Sequence, residues 1–232
     1  MNRSITNRIR WAMDELVPAF IRDSRVFMWP FFCVAYRTLR PRRYMSFKSN
    51  VFKMSPLEYE TFYNQLNSVS RKRSTDNSNR CVAQIIEGCL GAKSILDVGC
   101  GHGYVLRKLR DAYPRTRLAG VDLLKGEANP PYEYFNSVAD KLPFRDGEFD
   151  VVCCTHMIEH ATRPESVVGE LVRVAREKVI IVTPKQRPYY YTLDEHINFY
   201  FYEAQLEKLA PSSEMTIHIS NLSGDWYMVI QK

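Results

Sequence analysis

After residue 77 the chain alternates between two hydrophobic patterns. Short apolar runs, typical of buried strands, are separated by segments in which apolar side chains recur at helical spacing. The predicted strands lie at residues 94–99, 117–123, 132–136, 149–155 and 178–183, and the predicted helices at 81–89, 104–112, 164–175 and 202–209. This alternation predicts an α/β fold with a doubly wound, mostly parallel sheet.

Both ends of the chain depart from this alternation. The C-terminal residues have the sequence MTIHIS, a turn at Ser223 and Gly224, and then WYMVIQ, which predicts an antiparallel hairpin. The most apolar segment lies at residues 26–36, and a polar stretch at 68–80 indicates a linker. We therefore predict a helical, basic and aromatic extension at residues 1–76 and an α/β domain at residues 77–232.

Composition and charge support this division. Hydrophobic residues at 45% and charged residues at 25% exclude a disordered or fibrous protein. Residues 1–53 contain 11 lysines and arginines against 3 acidic residues, although the net charge of the whole chain is only +6. The six cysteines lack metal-binding spacing, and residues 1–10 lack the apolar stretch of a secretory signal. We therefore expect reduced thiols and a cytoplasmic location.

The apolar segment at residues 26–36 is too short to cross a bilayer of about 30 Å, and arginines flank it on both sides. Three interpretations are open. It packs on the α/β domain as a helical cap, or residues 20–43 bind an anionic membrane surface peripherally, at its inner face. In the third and weakest, the arginines line a groove for nucleic acid. The aromatic residues expected in the headgroup region are Phe27, Trp29, Phe31 and Phe32.

A glycine-rich loop follows the first predicted strand, with the sequence DVGCGHG at residues 97–103. Glycines let the backbone turn sharply and let a ligand approach the main chain. The dinucleotide-binding pattern requires glycine where this chain has Tyr104, and Asp97 would repel a pyrophosphate but suits a cationic ligand. Asp122, at the end of the next strand, has the position of a carboxylate that accepts both hydroxyls of a ribose.

Four segments in this order resemble the class I S-adenosylmethionine-dependent methyltransferases. LDVGCGHG and VDL are similar to the first two motifs of that family. Residues 139–152 are similar to the segment that spans the adenine pocket, and residues 158–166 to the loop and helix after the fourth strand. The resemblance covers residues 79–183 and more loosely the C-terminus. It implies a Rossmann-like fold and S-adenosylmethionine as cofactor.

The resemblance also implies the cofactor-binding residues. Asp97 would hold the amine of the methionine end, and Asp122 the ribose, with Leu123 against the adenine. The loop residues that line the cofactor with backbone would be Gly99, Cys100, Gly101 and Gly103. This chain departs from the family at Val138, where an acid often contacts the adenine amine, so neighbouring backbone or a hydroxyl would replace it. The remaining cofactor positions would be Ser137, Val138, Ala139 and Cys154.

The segment HMIEH at residues 156–160 follows the fourth strand, at the open end of the sheet where substrates bind. If a helical turn forms there, His156, Glu159 and His160 share one face. In one interpretation His156 or His160 is a general base for a hydroxyl acceptor, and Glu159 orients it. In another, these three residues and His196 bind a divalent metal ion that polarises two acceptor oxygens. In a third, their role is structural.

The metal interpretation has support from a further resemblance. Ubiquinone-pathway O-methyltransferases and small-RNA terminal 2′-O-methyltransferases share an E-x-x-E-H segment here and use a metal. The RNA enzymes add a histidine after a Thr-Pro turn, as this chain does with His196. Because His156 stands where those families have glutamate, the preference would shift from magnesium toward zinc, manganese or iron.

A long aromatic loop at residues 185–202 is either a substrate lid or packs on the extension. Together these features predict a methyltransferase acting on oxygen, with a sugar, a lipid-linked intermediate or a phenolic small molecule as acceptor. The alternatives are an RNA-terminal 2′-O-methyltransferase and a non-catalytic scaffold that retains the fold. The intact Asp97, glycines and Asp122 argue against the scaffold.

Overall fold

The computed structural model describes residues 12–13, 15–66, 74–124, 126, 129–212 and 214–232. Residues 1–10 and part of the predicted linker lie outside them. The chain divides into two units, one of Met1–Asp76 with Arg187–Ile197, the other of Asn77–Gln186 with Asn198–Lys232. The predicted boundary coincides with this division. Residues 187–197, which we assigned to the α/β domain, belong instead to the first unit.

The first unit is helical. Its helices are α1 (Ala19–Arg22), α2 (Arg25–Ala35), α3 (Arg42–Met45), α4 (Phe47–Asn50) and α5 (Pro56–Asn64), with a 3-10 turn at Val51–Lys53. The Ser24 hydroxyl accepts a hydrogen bond from the Phe27 N–H and so caps α2, which contains the apolar segment. Pro30 lies inside α2 on its exposed side, where water can solvate the carbonyl that lacks an N–H partner.

Aromatic stacking forms the core of the first unit. The ring centroids of Tyr36 and Tyr44 are 4.1 Å apart, and Tyr191 meets Phe32 edge-on at 6.2 Å. The 187–197 segment thus contributes to this core, as the packing interpretation of the aromatic loop predicted. The buried members are Met28, Phe32, Tyr36, Met45, Phe47, Val51, Phe62 and Leu66. No helix in the described part of the chain has the length and hydrophobicity to cross a membrane.

The second unit is an α/β sheet structure, as predicted. Its strands are β1 (Ser94–Val98), β2 (Arg117–Asp122), β3 (Glu133–Asn136), β4 (Phe149–Thr155), β5 (Ala175–Pro184), β6 (Thr216–Leu222) and β7 (Asp225–Gln231). Its helices are α6 (Asn79–Gly88), α7 (Tyr104–Ala112), α8 (Pro164–Val174) and α9 (Glu203–Glu207). The strand order is β3-β2-β1-β4-β5-β7-β6, and β7 runs antiparallel to both β5 and β6.

Parallel pairing places the functional residues at one edge of this sheet. Strands β1 to β4 are paired in parallel, so their carboxyl ends lie together. The strand order reverses between β1 and β4, and such a reversal opens a crevice for ligands. The C-terminal hairpin turns at Ser223 and Gly224, both with positive φ, which is the turn geometry that a two-residue connection favours.

Candidate active site

The glycine loop (residues 99–103) follows β1 and packs tightly at both ends. Gly99 and Gly103 have φ of +76° and +68°, a backbone conformation that side chains disfavour. A Cβ at Gly99 would lie 2.6 Å from the Met157 Cγ atom, and one at Gly103 would overlap the Tyr132 hydroxyl. At Gly101, by contrast, no heavy atom lies within 4 Å of the Cβ position. The middle of the loop is therefore open to a ligand.

Asp97, in β1, provides a buried carboxylate beside this loop. The residue is 1% exposed, and neither carboxylate oxygen has a hydrogen-bond partner among the described residues. Burial, and to a smaller extent the charge of Asp122, raises the pKa of Asp97 from 3.8 to about 8. A buried carboxylate without a partner is costly, so this position fits a cationic group that arrives with a ligand.

Asp122, at the end of β2, is by contrast already held in place. Its Oδ2 atom accepts a hydrogen bond from the Gly101 N–H at 2.7 Å, and its Oδ1 atom one from the Leu124 N–H at 2.9 Å. The Asn136 amide donates to the carbonyls of Asp122 and Leu123, at 3.1 and 2.8 Å. The ends of β1, β2 and β3 thus fix one another, and the carboxylate keeps further lone pairs for ribose hydroxyls.

The segment after β3 bears the three residues predicted at the adenine. The Ser137 N–H donates to the Asp122 carbonyl at 3.1 Å, and the Ser137 hydroxyl donates to the Lys141 carbonyl at 3.3 Å. Val138 is exposed, and Ala139 packs partly against the core. The Ser137 hydroxyl keeps acceptor lone pairs for the adenine amine, so the adenine contact stays a prediction for this hydroxyl or for the backbone of Val138 and Ala139.

Two predicted cofactor residues have side chains that point into the core. Cys154, in β4, is fully buried among apolar side chains, and burial raises the pKa of its thiol. Cys100 is also buried, with its sulfur packed over Gly120. A cofactor contact of either cysteine would have to come from its backbone, and that contact also stays a prediction.

The turn after β4 differs from the helical turn on which the sequence interpretation depended. His156 has a φ of +52°, and its N–H donates to the Val182 carbonyl of β5 at 2.8 Å. Only residues Ile158–His160 form a turn, of the 3-10 type. The expectation that three residues share one helical face is therefore wrong for His156, because its backbone is still bonded to the neighbouring strand.

His156 nevertheless lies between two buried carboxylates. Its Nδ1 atom is 3.4 Å from Glu159 Oε1, and its Nε2 atom is 4.0 Å from Asp225 Oδ2. The Thr183 hydroxyl donates to Glu159 Oε2 at 3.0 Å, and the Cys81 thiol donates to Asp225 Oδ2 at 3.5 Å. We call His156, Glu159 and Asp225 the histidine cluster. It places an imidazole where a positive charge would be compensated on both sides.

The other two predicted histidines lie in different units. His160 ends the 3-10 turn in the second unit, and its N–H donates to the Met157 carbonyl at 2.9 Å. His196 belongs to the first unit, where its Nδ1 atom is 3.4 Å from Asp194 Oδ2. The metal site of His156, Glu159, His160 and His196 stays a prediction.

Sequence reasoning missed Asp225 and Asn77. Asp225 begins β7, far along the chain from the predicted motifs, and is buried. An acid directly before the apolar run 226–230 was the available signal, because strand interiors seldom bury a carboxylate without a role. The Asn77 amide donates to the Thr155 hydroxyl at 3.1 Å, at the end of β4. Its position in a polar linker gave no signal.

Comparison with known proteins agrees with this geometry. Residues 96–183 match a family model described as a methyltransferase domain. The chain is 36% identical over 98 residues to a ubiquinone biosynthesis O-methyltransferase of Thiobacillus denitrificans, covering 38% of this chain and 41% of that protein. It is 37% identical over 89 residues to a malonyl-[acyl-carrier protein] O-methyltransferase of Geobacter sulfurreducens, covering 34% and 33%. The chain thus spans less than half the length of these two relatives.

The structural similarity covers more of this chain than the sequence similarity does. Human N-acetylserotonin methyltransferase, solved in complex with SAM (S-adenosylmethionine), matches with a TM-score of 0.56 and 10% identity, covering 79% of this chain and 58% of that one. At this identity the match shows the fold. Residues 96–183 thus match the methyltransferase domain family, and the sheet that contains them has the fold of an S-adenosylmethionine-dependent methyltransferase.

Proposed function

We propose that this protein is an S-adenosylmethionine-dependent O-methyltransferase in which Asp97 binds the amine of the cofactor. The observation that carries the proposal is the buried Asp97 carboxylate, whose two oxygens have no hydrogen-bond partner among the described residues. An ammonium group supplies the missing opposite charge. Asp122, fixed by two backbone N–H groups, would accept the ribose hydroxyls, and Leu123 would face the adenine.

Within this function, the histidine cluster would serve the methyl acceptor. The sulfonium cofactor supplies an activated methyl group, so the protein has to orient the acceptor and take its proton. His156 follows β4 directly, and the next residue, Met157, packs on Gly99 of the glycine loop. When His156 takes a proton from an acceptor hydroxyl, Glu159 and Asp225 compensate the charge that the imidazole gains. His160 is the second candidate for this base.

An oxygen acceptor has further support in the names of the two relatives, which are both O-methyltransferases. We propose a sugar, a lipid-linked intermediate or a phenolic small molecule, and the basic first unit favours a lipid-linked or anionic acceptor. The metal site predicted from sequence is the competing explanation of the acceptor chemistry. It would supply Lewis-acid polarisation in place of a base.

Calorimetry tests the cofactor part of the proposal. S-adenosylmethionine should bind the wild-type protein, and Asp97→Ala should remove binding. The control is Asp111→Ala, which changes an exposed acid of α7 that pairs with Lys108 at 3.7 Å. Absence of wild-type binding, or unchanged binding by Asp97→Ala, refutes the proposal.

A screen with methyl-labelled cofactor across phenols, sugars, lipid extracts and short RNA tests the acceptor. His156→Gln should lower turnover at least ten-fold while leaving cofactor affinity unchanged. Loss of turnover in chelator, restored by added metal, would favour the metal site instead. Transfer to RNA alone would support the RNA-terminal alternative, and binding without any transfer would support a scaffold.

A further inference from the structure

One side of α2 exposes apolar side chains to solvent. Val26, Pro30 and Val34 follow at intervals of four residues and so lie on one side of the helix. Val26 is 85% exposed and Val34 is 75% exposed. Met28 and Phe32, on the opposite side, are buried in the core of the first unit. We call Val26, Pro30 and Val34 the exposed strip. Further exposed apolar side chains of the flanking segments are Leu16, Phe20 and Leu39.

The charged residues that border the exposed strip are mostly basic. Residues 24–53 contain seven lysines and arginines and no aspartate or glutamate. Arg25 lies at the first turn of α2, and Arg37 and Arg40 follow its end. All three are exposed, and none of them forms an ion pair with any residue that the structure describes. The strip thus combines apolar side chains with cations at both of its ends.

This combination fits a bilayer better than it fits nucleic acid. The headgroup region of an anionic membrane offers apolar volume and negative charge side by side. Nucleic acid offers the charge, but it would be recognised by aromatic side chains that stack on bases. Phe27, Trp29 and Phe31, which could stack, pack instead against the core of the first unit. A helix of 11 residues is about 16 Å long, so α2 would lie on the surface.

The structure also corrects which side chains would enter the membrane. The sequence suggested Phe27, Trp29, Phe31 and Phe32, but Phe32 is buried and the other three pack partly against the core. Those aromatics hold α2 on its own unit. The apolar contact with lipid would come from the opposite, aliphatic side of the helix.

We propose that the exposed strip docks the protein on a membrane surface that carries anionic lipid, with Arg25, Arg37 and Arg40 at the lipid phosphates. The contact lies wholly within the first unit and does not depend on the proposed function. It supplies a physical reason for the excess of positive charge that the methyltransferase domain leaves unexplained.

Sedimentation of the full chain with vesicles tests this proposal. Vesicles of phosphatidylcholine with phosphatidylglycerol should bind the protein, vesicles of phosphatidylcholine alone should bind it far less, and added salt should weaken binding. Each arginine near the surface contributes on the order of five-fold to partitioning. The triple variant Arg25→Glu, Arg37→Glu, Arg40→Glu should therefore lose at least on the order of 100-fold, because glutamate also adds repulsion from the anionic lipid. Val26→Ser with Val34→Ser should also weaken binding.

Matched controls come from the second unit. Arg115→Glu changes an exposed arginine and Leu90→Ser an exposed leucine, and both should leave vesicle binding unchanged. Circular dichroism and thermal unfolding of every variant show that the protein is folded. Cofactor calorimetry is a separate measurement, so failure of the proposed function would not affect this test. Equal binding by the triple variant, or equal binding to uncharged vesicles, overturns the proposal. So does a wild-type dimer in sedimentation velocity that the strip variants dissociate, because a second copy would then cover the strip.

Discussion

Asp97→Asn removes a negative charge from a buried position while keeping the shape of the side chain. In the cofactor-free protein burial raises the pKa of Asp97 to about 8, so at pH 7 about nine-tenths of the molecules carry the proton. The ammonium group of the cofactor favours the ionised form. At pH 7 the cofactor amine is already mostly protonated, so binding should release most of one proton per cofactor. The release should fall to zero near pH 8 and become uptake above it, because the amine of the free cofactor then has to gain a proton to bind as ammonium.

Calorimetry in buffers of different ionisation enthalpy measures this release. The slope of the observed binding enthalpy against the buffer enthalpy gives the number of protons. Asp97→Asn should abolish the slope and weaken cofactor binding, whereas the exposed control Asp111→Asn should keep both. A wild-type slope of zero at pH 7 would refute the reasoning, and so would an equal slope in Asp97→Asn.

The raised pKa also predicts how the stability of the cofactor-free protein depends on pH. The folded protein binds the Asp97 proton more tightly than the unfolded chain, so the free energy of unfolding should fall as pH rises from about 4 to about 8. The difference between 3.8 and about 8 corresponds to on the order of 5 kcal/mol, a ceiling that water entry reduces. Urea denaturation should therefore show Asp97→Asn gaining stability over wild type between pH 5 and pH 8.

Three further substitutions test other parts of the structure. Tyr36→Phe removes a buried hydroxyl that donates to Glu195 at 2.8 Å, and should lower the free energy of unfolding in urea by about 1–3 kcal/mol. Gly103→Ala places a side chain at a φ of +68° against Tyr132, and calorimetry should show at least ten-fold weaker cofactor binding. Asp225→Asn removes one carboxylate of the histidine cluster and should slow methyl transfer about ten-fold at unchanged cofactor affinity.

Tyr36→Phe and Gly103→Ala each have a matched control, and Asp225→Asn has an outcome that would contradict it. Tyr44→Phe keeps the ring stacked on Tyr36 and should cost less stability, so equal losses would contradict the role of the hydrogen bond. Gly169→Ala, on α8 with no heavy atom within 4 Å of the added carbon, should stabilise the protein by about 0.5–1 kcal/mol. If it weakened cofactor binding as Gly103→Ala does, the steric argument would fail. For Asp225→Asn, a parallel loss of cofactor affinity would contradict an acceptor-side role.

The spacing of apolar residues along the chain predicted most strands and helices of the second unit. The predictions at 104–112 and 149–155 agree with α7 and β4 at both ends, because a strongly amphipathic helix and a fully buried strand leave little ambiguity. β5 was predicted to begin at 178 but begins at Ala175. A register shift between Phe149 and Val151 lets Ala175 pair with Phe149. The residues that follow Ala175 are charged, so the local sequence does not resemble a strand there.

Some residues of the candidate site could likewise be predicted from the sequence, and others could not. Asp97 and Asp122 were predictable because each lies at or next to the carboxyl end of a parallel strand, and such ends meet at one edge of the sheet. Asp225 was missed because it reaches the site from an antiparallel hairpin, whose position depends on pairing over a long sequence separation. The prediction that His156 shares a helical face with Glu159 and His160 was wrong, because a backbone hydrogen bond to β5 holds His156 outside the turn. No local pattern shows which of two cores an aromatic loop will join.

The two aspartates of the cofactor site differ in what each requires from the ligand. Asp122 already accepts two backbone N–H bonds at 2.7 and 2.9 Å, so its acceptor geometry exists before the cofactor arrives. Asp97 has no such donor among the described residues, so its charge is stabilised only by a cation. Ligands that carry different parts of the cofactor should therefore separate the two roles.

S-adenosylhomocysteine and methylthioadenosine both carry adenine and ribose, but only S-adenosylhomocysteine has the ammonium group. Because the released proton comes from Asp97, S-adenosylhomocysteine should release about as much as S-adenosylmethionine, although it lacks the sulfonium charge. Methylthioadenosine should bind more weakly with no proton release, and Asp97→Asn should leave its affinity nearly unchanged. Proton release by methylthioadenosine would assign the linkage to another group, and release by S-adenosylmethionine alone would place the sulfonium, not the amine, beside Asp97.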